Sequence, residues 1–429
     1  MKRALPVISV LLYFVLAYFI ERQQIGTLLS CWAALFVIYF YQIKYGLQRV
    51  ILWGILFRLI WLFAIPALSD DYYRFVWDGR LLINTTNPFL YIPADLMQVP
   101  ELVAAINANE LFQSLNSPNY YSVYPPLNQY MFGFASLVSG NDLLANVVLL
   151  RAIILLAECG TIWLLYRLKT EQNRKVNISL YALNPLVIIE LTGNLHFEAV
   201  VIFFLVLTYY LFTIKTELWK PALALASAVC VKMLPLIFIP LIINKIGWKK
   251  GIIFSFLTGI FCVLYSFPLL NLEIIQNISE SVNLYFKSFE FNASVYYVVR
   301  EIGYWIYGYN IIGVAGRALS IIAFLLMMYV SFRKSVEVEP LFVAGAVLTV
   351  YLLFATTVHP WYITPLVLMG CFTNLRYGLV WSALIPLTYF SYTTIPYKEN
   401  LWLVGLEYSV VIAVLVWEIY KKRVRLFVN

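Results

Sequence analysis

Val50 to Leu68 is a long apolar segment, and it runs almost without a spacer into Ser69-Asp70-Asp71-Tyr72-Tyr73-Arg74-Phe75-Val76-Trp77-Asp78-Gly79-Arg80. The first part reads as a membrane helix. The second places carboxylates and guanidiniums where that helix leaves the bilayer. Charge at such depth is costly and is usually kept for function. One carboxylate at a helix end is an ordinary solvated residue. A cluster with interleaved aromatics is a candidate acid/base site, because mutual repulsion and partial burial raise a carboxyl pKa toward neutrality.

The rest of the chain agrees with a membrane setting. It has 429 residues, 62% hydrophobic and 12% charged, with a mean hydropathy of +0.81. A soluble domain of this size does not have that composition. The apolar runs are continuous rather than alternating, which excludes a β-barrel. The formal net charge of +8 is not a nucleic-acid signature. The basic residues fall in short loops and in Lys421-Lys422-Arg423-Val424-Arg425, as the positive-inside rule expects. Cys31, Cys159, Cys230, Cys262 and Cys371 lie in apolar segments without metal or redox spacing, and read as small core residues. Met1-Lys2-Arg3 and the apolar run Ala4 to Ile20 read as an uncleaved first span.

Apolar segments recur near 4–20, 26–43, 50–68, 143–166, 178–192, 199–214, 221–243, 251–270, 311–331, 341–357, 361–372, 377–391 and 401–420, with a shorter one at 126–139. Two long polar loops, 69–125 and 271–310, interrupt them, and no internal repeat stands out. Segment 126–139 would span only about 21 Å as a helix, short of a bilayer core. Segment 221–243 carries Lys232 and Pro235 at its middle and reads as two half-helices. With these two exceptions, Arg167 to Lys175, Lys245 to Lys250, Arg333-Lys334, Arg376 and the basic tail all fall on the cytoplasmic side. The expectation is one all-α polytopic membrane bundle over residues 1–429, with about 12 spans and both long loops extracytoplasmic.

Both histidines lie in short polar motifs on the same expected face as the acidic loop, in Gly193-Asn194-Leu195-His196-Phe197-Glu198 and Val358-His359-Pro360-Trp361-Tyr362. A lone interfacial histidine is usually structural, but two on one face with an acidic cluster suggest a site. Lys232, mid-segment, must find an anion or lose its charge, so a phosphate is a fitting partner, with snorkelling the alternative. Arg151 and Glu158 are seven apart on one helix and are expected to pair inside the bundle. The loops add Tyr120-Tyr121-Ser122-Val123-Tyr124 and a run from Tyr285 to Tyr297 that includes Asn292. Rings mixed with Asn, Glu and Lys suit a sugar-binding cleft as well as an interfacial belt.

On these residues the whole chain resembles the GT-C superfamily of glycosyltransferases. Within it the chain is most similar to polyprenol-phosphomannose-dependent mannosyltransferases. Asp70-Asp71 stands where that superfamily has its acidic motif. Tyr124-Pro125-Pro126-Leu127 is similar to the family's YPPL. Leu183-Asn184-Pro185-Leu186 and Asn194-Leu195-His196-Phe197-Glu198 resemble its LNP and N-x-H-x-[DE] pair, and His359-Pro360-Trp361-Tyr362 resembles its HPWY.

The resemblance implies transfer of a hexose, mannose first, from a polyprenyl-phosphate sugar to a lipid-linked or glycan acceptor. Transfer would occur with inversion, on the extracytoplasmic face of a bacterial inner (plasma) membrane. Asp70 or Asp71 would be the base; the acidic pair is contiguous rather than D-x-D, so the choice stays open. Arg74, Asp78, Tyr124, His196, Glu198, Lys232, Asn292, His359, Trp361 and Tyr362 are the expected substrate-binding residues, with Arg74 beside the aspartates. No cofactor and no metal ligands are expected; a divalent metal is compatible but not required. Membrane lipids are expected partners and nucleic acid is not. The competing reading, a lipid or oligosaccharide transporter or flippase, predicts polar groups along a central path and repeated halves. Here polar groups gather at one face and repeats are absent. A non-catalytic membrane subunit would leave the acidic loop unexplained.

Overall fold

The computed structural model describes residues 4–333, 339–373, 375–394 and 397–421, with side chains at 282–288 excepted. Met1 to Arg3, Lys334, the basic residues after Lys421 and the side chains from Tyr285 to Ser288 therefore lie outside the described residues. The described chain is helical almost throughout. Its β-pairing, among these residues, is one isolated bridge between Phe291 and Thr357.

Among the described residues, five helices are long and apolar enough to cross a membrane: Ile25–Tyr45, Leu143–Thr170, Trp248–Leu269, Ile312–Phe332 and Leu401–Lys421. A sixth results if Val187–Gly193 and Glu198–Thr213, bent by 112°, count as one. Leu143–Thr170 shows why such a helix is stable. Asp142 caps its start by accepting from the Ala145 N–H at 2.9 Å, and Arg167 and Lys169 sit in its last turn, where the helix dipole favours cations.

Several other apolar segments are shorter than a bilayer core requires or are broken. Residues 178–192, expected as one span, form a short helix Ser179–Ala182 and a wide π-turn Val187–Gly193. The 361–372 and 377–391 segments begin or end in 3-10 turns, with Pro360 and Pro386 at their starts. Segment 221–243 breaks where Lys232 and Pro235 interrupt it, into Trp219–Val231, the 3-10 turn Leu234–Phe238 and Ile239–Ile246. Pro126–Ser139 is a 14-residue helix.

Both long loops are themselves folded. The first contains Asp71–Ile83, Pro93–Leu96, Pro100–Ala105 and Ala108–Phe112. The second contains Ile274–Ser288 and Val295–Tyr307. The acidic helix Asp71–Ile83 lies against Pro126–Ser139. Phe75 and Phe132 stack at 4.7 Å between them. Gly79 makes the close crossing feasible, because a Cβ there would lie 2.4 Å from the Phe132 carbonyl oxygen. On its other side Val76, Trp77 and Leu81 join Leu96, Ile106 and Leu111 in a small core that fastens the loop down.

The expected Arg151–Glu158 pair is not made. Glu158 is fully buried, ion-paired with Arg58, and accepts from Arg58 Nε at 2.7 Å and from the Tyr181 hydroxyl. Arg58 lies on Val50–Leu59, a different helix, which reaches Glu158 first. Arg151 instead donates to the carbonyls of Thr192, Gly193 and Leu62, at 2.8–3.0 Å. The π-turn leaves such carbonyls without helical partners, and in an apolar interior they need a donor.

Candidate active site

The site is built where helices stop. At Lys232 the backbone is extended, with φ −153° and ψ 135°, which ends Trp219–Val231 and turns the ammonium out of the helix. Leu195 takes a left-handed φ of +62°, and this turn starts Glu198–Thr213. The two breaks meet: Lys232 Nζ is ion-paired with the Glu198 carboxylate. The same ammonium lies 4.5 Å from the centre of the Tyr362 ring, a cation–π contact. Lys232 stays 36% exposed while Glu198 is 7% exposed, so the cation remains reachable.

The histidine motifs join at Trp361. Its indole stacks on His196 at 3.5 Å and on His359 at 4.5 Å. Phe291 continues the stack on His359 at 5.0 Å. The Phe291–Thr357 bridge holds that ring in place, with Phe291 donating to Thr356 at 3.1 Å and accepting from Val358 at 2.8 Å. Burial, with Lys232 nearby, pushes the His359 imidazole down to about 3. It is therefore a neutral hydrogen-bonding ring rather than a cation at physiological pH. His196 Nε2 is buried without a hydrogen-bond partner and lies 3.6 Å from the Glu190 carboxylate. Glu190 in turn accepts from the Tyr389 hydroxyl at 2.6 Å and the Asn194 amide at 3.1 Å.

The two aspartates have different surroundings. Asp70 accepts from Arg22 Nη1 at 2.6 Å, and that guanidinium also lies 5.3 Å from the Tyr392 ring. Asp71, first residue of its helix, accepts from the Asn116 amide at 2.8 Å. Enclosure by protein raises the Asp71 pKa. The Asn116 hydrogen bond and the Lys232 charge oppose that rise, and Glu198 and Asp70 add to it. Asp71 is thus in electrostatic reach of the Lys232–Glu198 pair. Tyr124 packs edge-on against Phe75 and Phe132, and its hydroxyl is within electrostatic reach of Asp71, Arg74, Asp78 and Glu198.

Arg74 pairs with Asp78 rather than with Asp70 or Asp71. It is buried, donates to Asp78 at 2.7 Å and binds the carbonyls of Ser117 and Tyr120 at 3.1 and 3.0 Å. Asp78, fully buried, also accepts from Ser122 and from Gln129 at 3.0 Å. The i,i+4 spacing puts Asp78 within reach of Arg74 on the buried helix face, so the two satisfy each other and fasten the loop. Asn292 is buried too: its amide donates to Glu407 at 3.1 Å, its N–H to Glu399 at 2.6 Å, and its carbonyl accepts from Tyr408 at 2.7 Å. Arg74, Asp78 and the Asn292 amide nitrogen are thus taken up by protein partners, while Asn292 Oδ1 is buried without a hydrogen-bond partner.

Asp71, Tyr124, His196, Glu198, Lys232, His359, Trp361 and Tyr362 form one neighbourhood, with Asp70 at its edge. Sequence reading missed Arg22, Asn116, Glu190, Tyr389 and Tyr392. Glu190 alone carried a signal, a carboxylate inside the apolar run Leu186 to Leu191. Among the described residues, no group of three or more histidine, cysteine, aspartate or glutamate side chains is spaced to hold a metal ion.

A search of curated proteins and a search of solved structures find no match. A family model described as alpha-(1->6)-mannopyranosyltransferase, N-terminal domain, matches residues 9–246, a stretch holding both aspartates, Tyr124, His196, Glu198 and Lys232. That is more than half of the chain, which therefore belongs to the MptA_B family of alpha-(1->6)-mannopyranosyltransferases and is a membrane glycosyltransferase.

Proposed function

We propose that the protein moves a hexose, mannose first, from a polyprenyl phosphate to a hydroxyl of a lipid-linked or glycan acceptor, with inversion. Transfer takes place on the extracytoplasmic face of a bacterial inner membrane, in a bundle of about 12 spans counting short and broken ones. The observation that carries this reading is the meeting of Asp71, Lys232, Glu198, His196 and His359 from motifs far apart in the chain. A carboxylate that can accept a proton lies near a reachable cation and a wall of stacked rings.

In this reading Asp71 takes the proton of the acceptor hydroxyl. The oxygen attacks the anomeric carbon from the side opposite the phosphate. The bond from that carbon to the phosphate oxygen breaks, and its electron pair leaves with the polyprenyl phosphate. Lys232 meets the charge that develops there, exchanging Glu198 for a phosphate oxygen. Neutral His359 and His196 supply hydrogen bonds, held in place by stacking on the Trp361 indole, and Tyr362 keeps Lys232 over its ring. With these groups stabilising the leaving phosphate, a divalent metal is not required. The test is an assay of purified protein with radiolabelled mannosyl, glucosyl and galactosyl polyprenyl phosphates. Transfer from the mannosyl carrier is expected. Transfer from a nucleotide sugar and from none of the carriers would overturn the donor assignment.

A further inference from the structure

Val231 is the last helical residue before the break at Lys232. In a continuing helix its carbonyl would accept from the N–H four residues on. That residue is Pro235, which has no N–H. Val231 is buried, so its carbonyl needs a donor from another element. Asn128 supplies it: the side-chain amide donates to the Val231 carbonyl at 2.7 Å. Asn128 is itself buried. It sits in the first turn of Pro126–Ser139, directly after Tyr124-Pro125-Pro126-Leu127.

The next residue ties the same turn to the acidic helix. Gln129 is fully buried, and its amide donates to Asp78 Oδ2 at 3.0 Å, to the Ser122 hydroxyl at 2.8 Å and to the Tyr124 carbonyl at 3.2 Å. Consecutive helical residues point about 100° apart, so Asn128 and Gln129 reach two different elements. One of these ends at Lys232, and the other begins at Asp71. Asn128 Oδ1 and Gln129 Oε1 are both buried without a hydrogen-bond partner. Two unpaired acceptors are unfavourable, and the hydrogen bonds made by the two amide nitrogens offset them.

We propose that Asn128 is a positioning residue for Lys232. With Gln129 tying the same turn to the acidic helix, it fixes the separation between that cation and Asp71. A donor needs both groups at once: its phosphate meets Lys232 while the hydroxyl that attacks its sugar meets Asp71. This role rests on the donor reading above.

Steady-state kinetics of the full chain in lipid nanodiscs, with a mannosyl polyprenyl phosphate, test it. Asn128→Leu keeps the volume and removes the amide. It should raise the donor KM about tenfold, the scale of loss when the support of a functional side chain is removed. Lys232→Met/Asn128→Leu should be no worse than Lys232→Met, because both changes act on one contact. A residue that only stabilised the fold would lower the yield of folded protein, leave KM alone and add to Lys232→Met. Ser227→Ala is the control. Ser227 shares a hydrogen bond of 2.8 Å with the Tyr265 hydroxyl, one turn before Val231 on the same helix, and its loss should leave the donor KM unchanged.

A second readout needs no sugar. Lys232→Cys on a cysteine-free background should react faster with a charged thiol reagent when Asn128→Leu is added, and at the same rate when Ser227→Ala is added. If Asn128→Leu does not fold, Asn128→Ala takes its place in both arms. An unchanged donor KM, additive effects in the double variant or an unchanged labelling rate would each overturn the inference. If Lys232→Met itself leaves the donor KM unchanged, the donor reading fails and the labelling rate alone decides the positioning.

Discussion

Asp70 and Asp71 are neighbours in sequence with different surroundings. Arg22 holds Asp70 in an ion pair. Asp71 has one amide donor and faces the Lys232–Glu198 pair. A base must be free to accept a proton, so Asp71→Asn should lower turnover about 10²–10⁴-fold. Asp70→Asn should lower it far less, and equal losses in folded variants would refute the distinction. The pH profile carries the same signature. A raised carboxyl stays protonated over a wider range, and a protonated Asp71 cannot act as base. Turnover should therefore fall on the acid side beginning above the ordinary aspartate range. Lys232 lowers the Asp71 pKa and Glu198 raises it. Glu198→Gln should thus move the acid limb to lower pH and Lys232→Met to higher pH. A limb that stays put in both variants would assign the titration to another group.

At the scale of the element, helix interruptions do the positioning. Lys232 faces the site because its helix ends there in an extended residue. Glu198 meets it because Leu195 bends the chain in a left-handed turn. Lys232→Met should weaken use of the charged donor by about 2–5 kcal/mol, the usual loss when one partner of a buried charge pair is truncated. Donor titrations of a variant with unchanged melting behaviour would measure it, and unchanged donor kinetics would mean that Lys232 serves Glu198 alone. The acidic helix depends on a different feature. A methyl at Gly79 would strike the Phe132 carbonyl at 2.4 Å, so Gly79→Ala must push two helices apart. We expect a loss of about 1–3 kcal/mol in a detergent melt, typical of overpacking. Wild-type stability would show that the crossing has slack.

Over the whole molecule, residues as far apart in the chain as Asp71 and Tyr362 converge on one neighbourhood. Ser117, whose carbonyl binds Arg74, lies in the first long loop and should be extracytoplasmic. A cysteine placed there on a cysteine-free background should react with an impermeant reagent in intact cells. Reaction only after permeabilisation would invert the topology. The five helices of full spanning length are fewer than the apolar segments. Apolarity alone does not distinguish a continuous span from one broken by a π-turn or a proline-led 3-10 turn.

Composition and apolar runs determined by themselves that this is a helical membrane protein, because an aqueous fold cannot carry so little charge. The motifs at Asp70-Asp71, His196, Lys232 and His359 were also legible, since polar groups in apolar surroundings stand out. The break at Lys232 could be read too, because a charge and a proline close together do not continue a buried helix. The partners of those charges could not be read. Glu158 was expected to meet Arg151 and meets Arg58; Arg74 was expected to meet Asp70 or Asp71 and meets Asp78. Spacing along one helix shows which residues share a face, but a buried charge pairs with whichever opposite charge or free carbonyl the neighbouring helices bring to it. Only the tertiary structure decided those pairings. With them it separated Asp71, half-buried near a reachable cation, from Asp70, held by an arginine in a turn that gave no sequence signal.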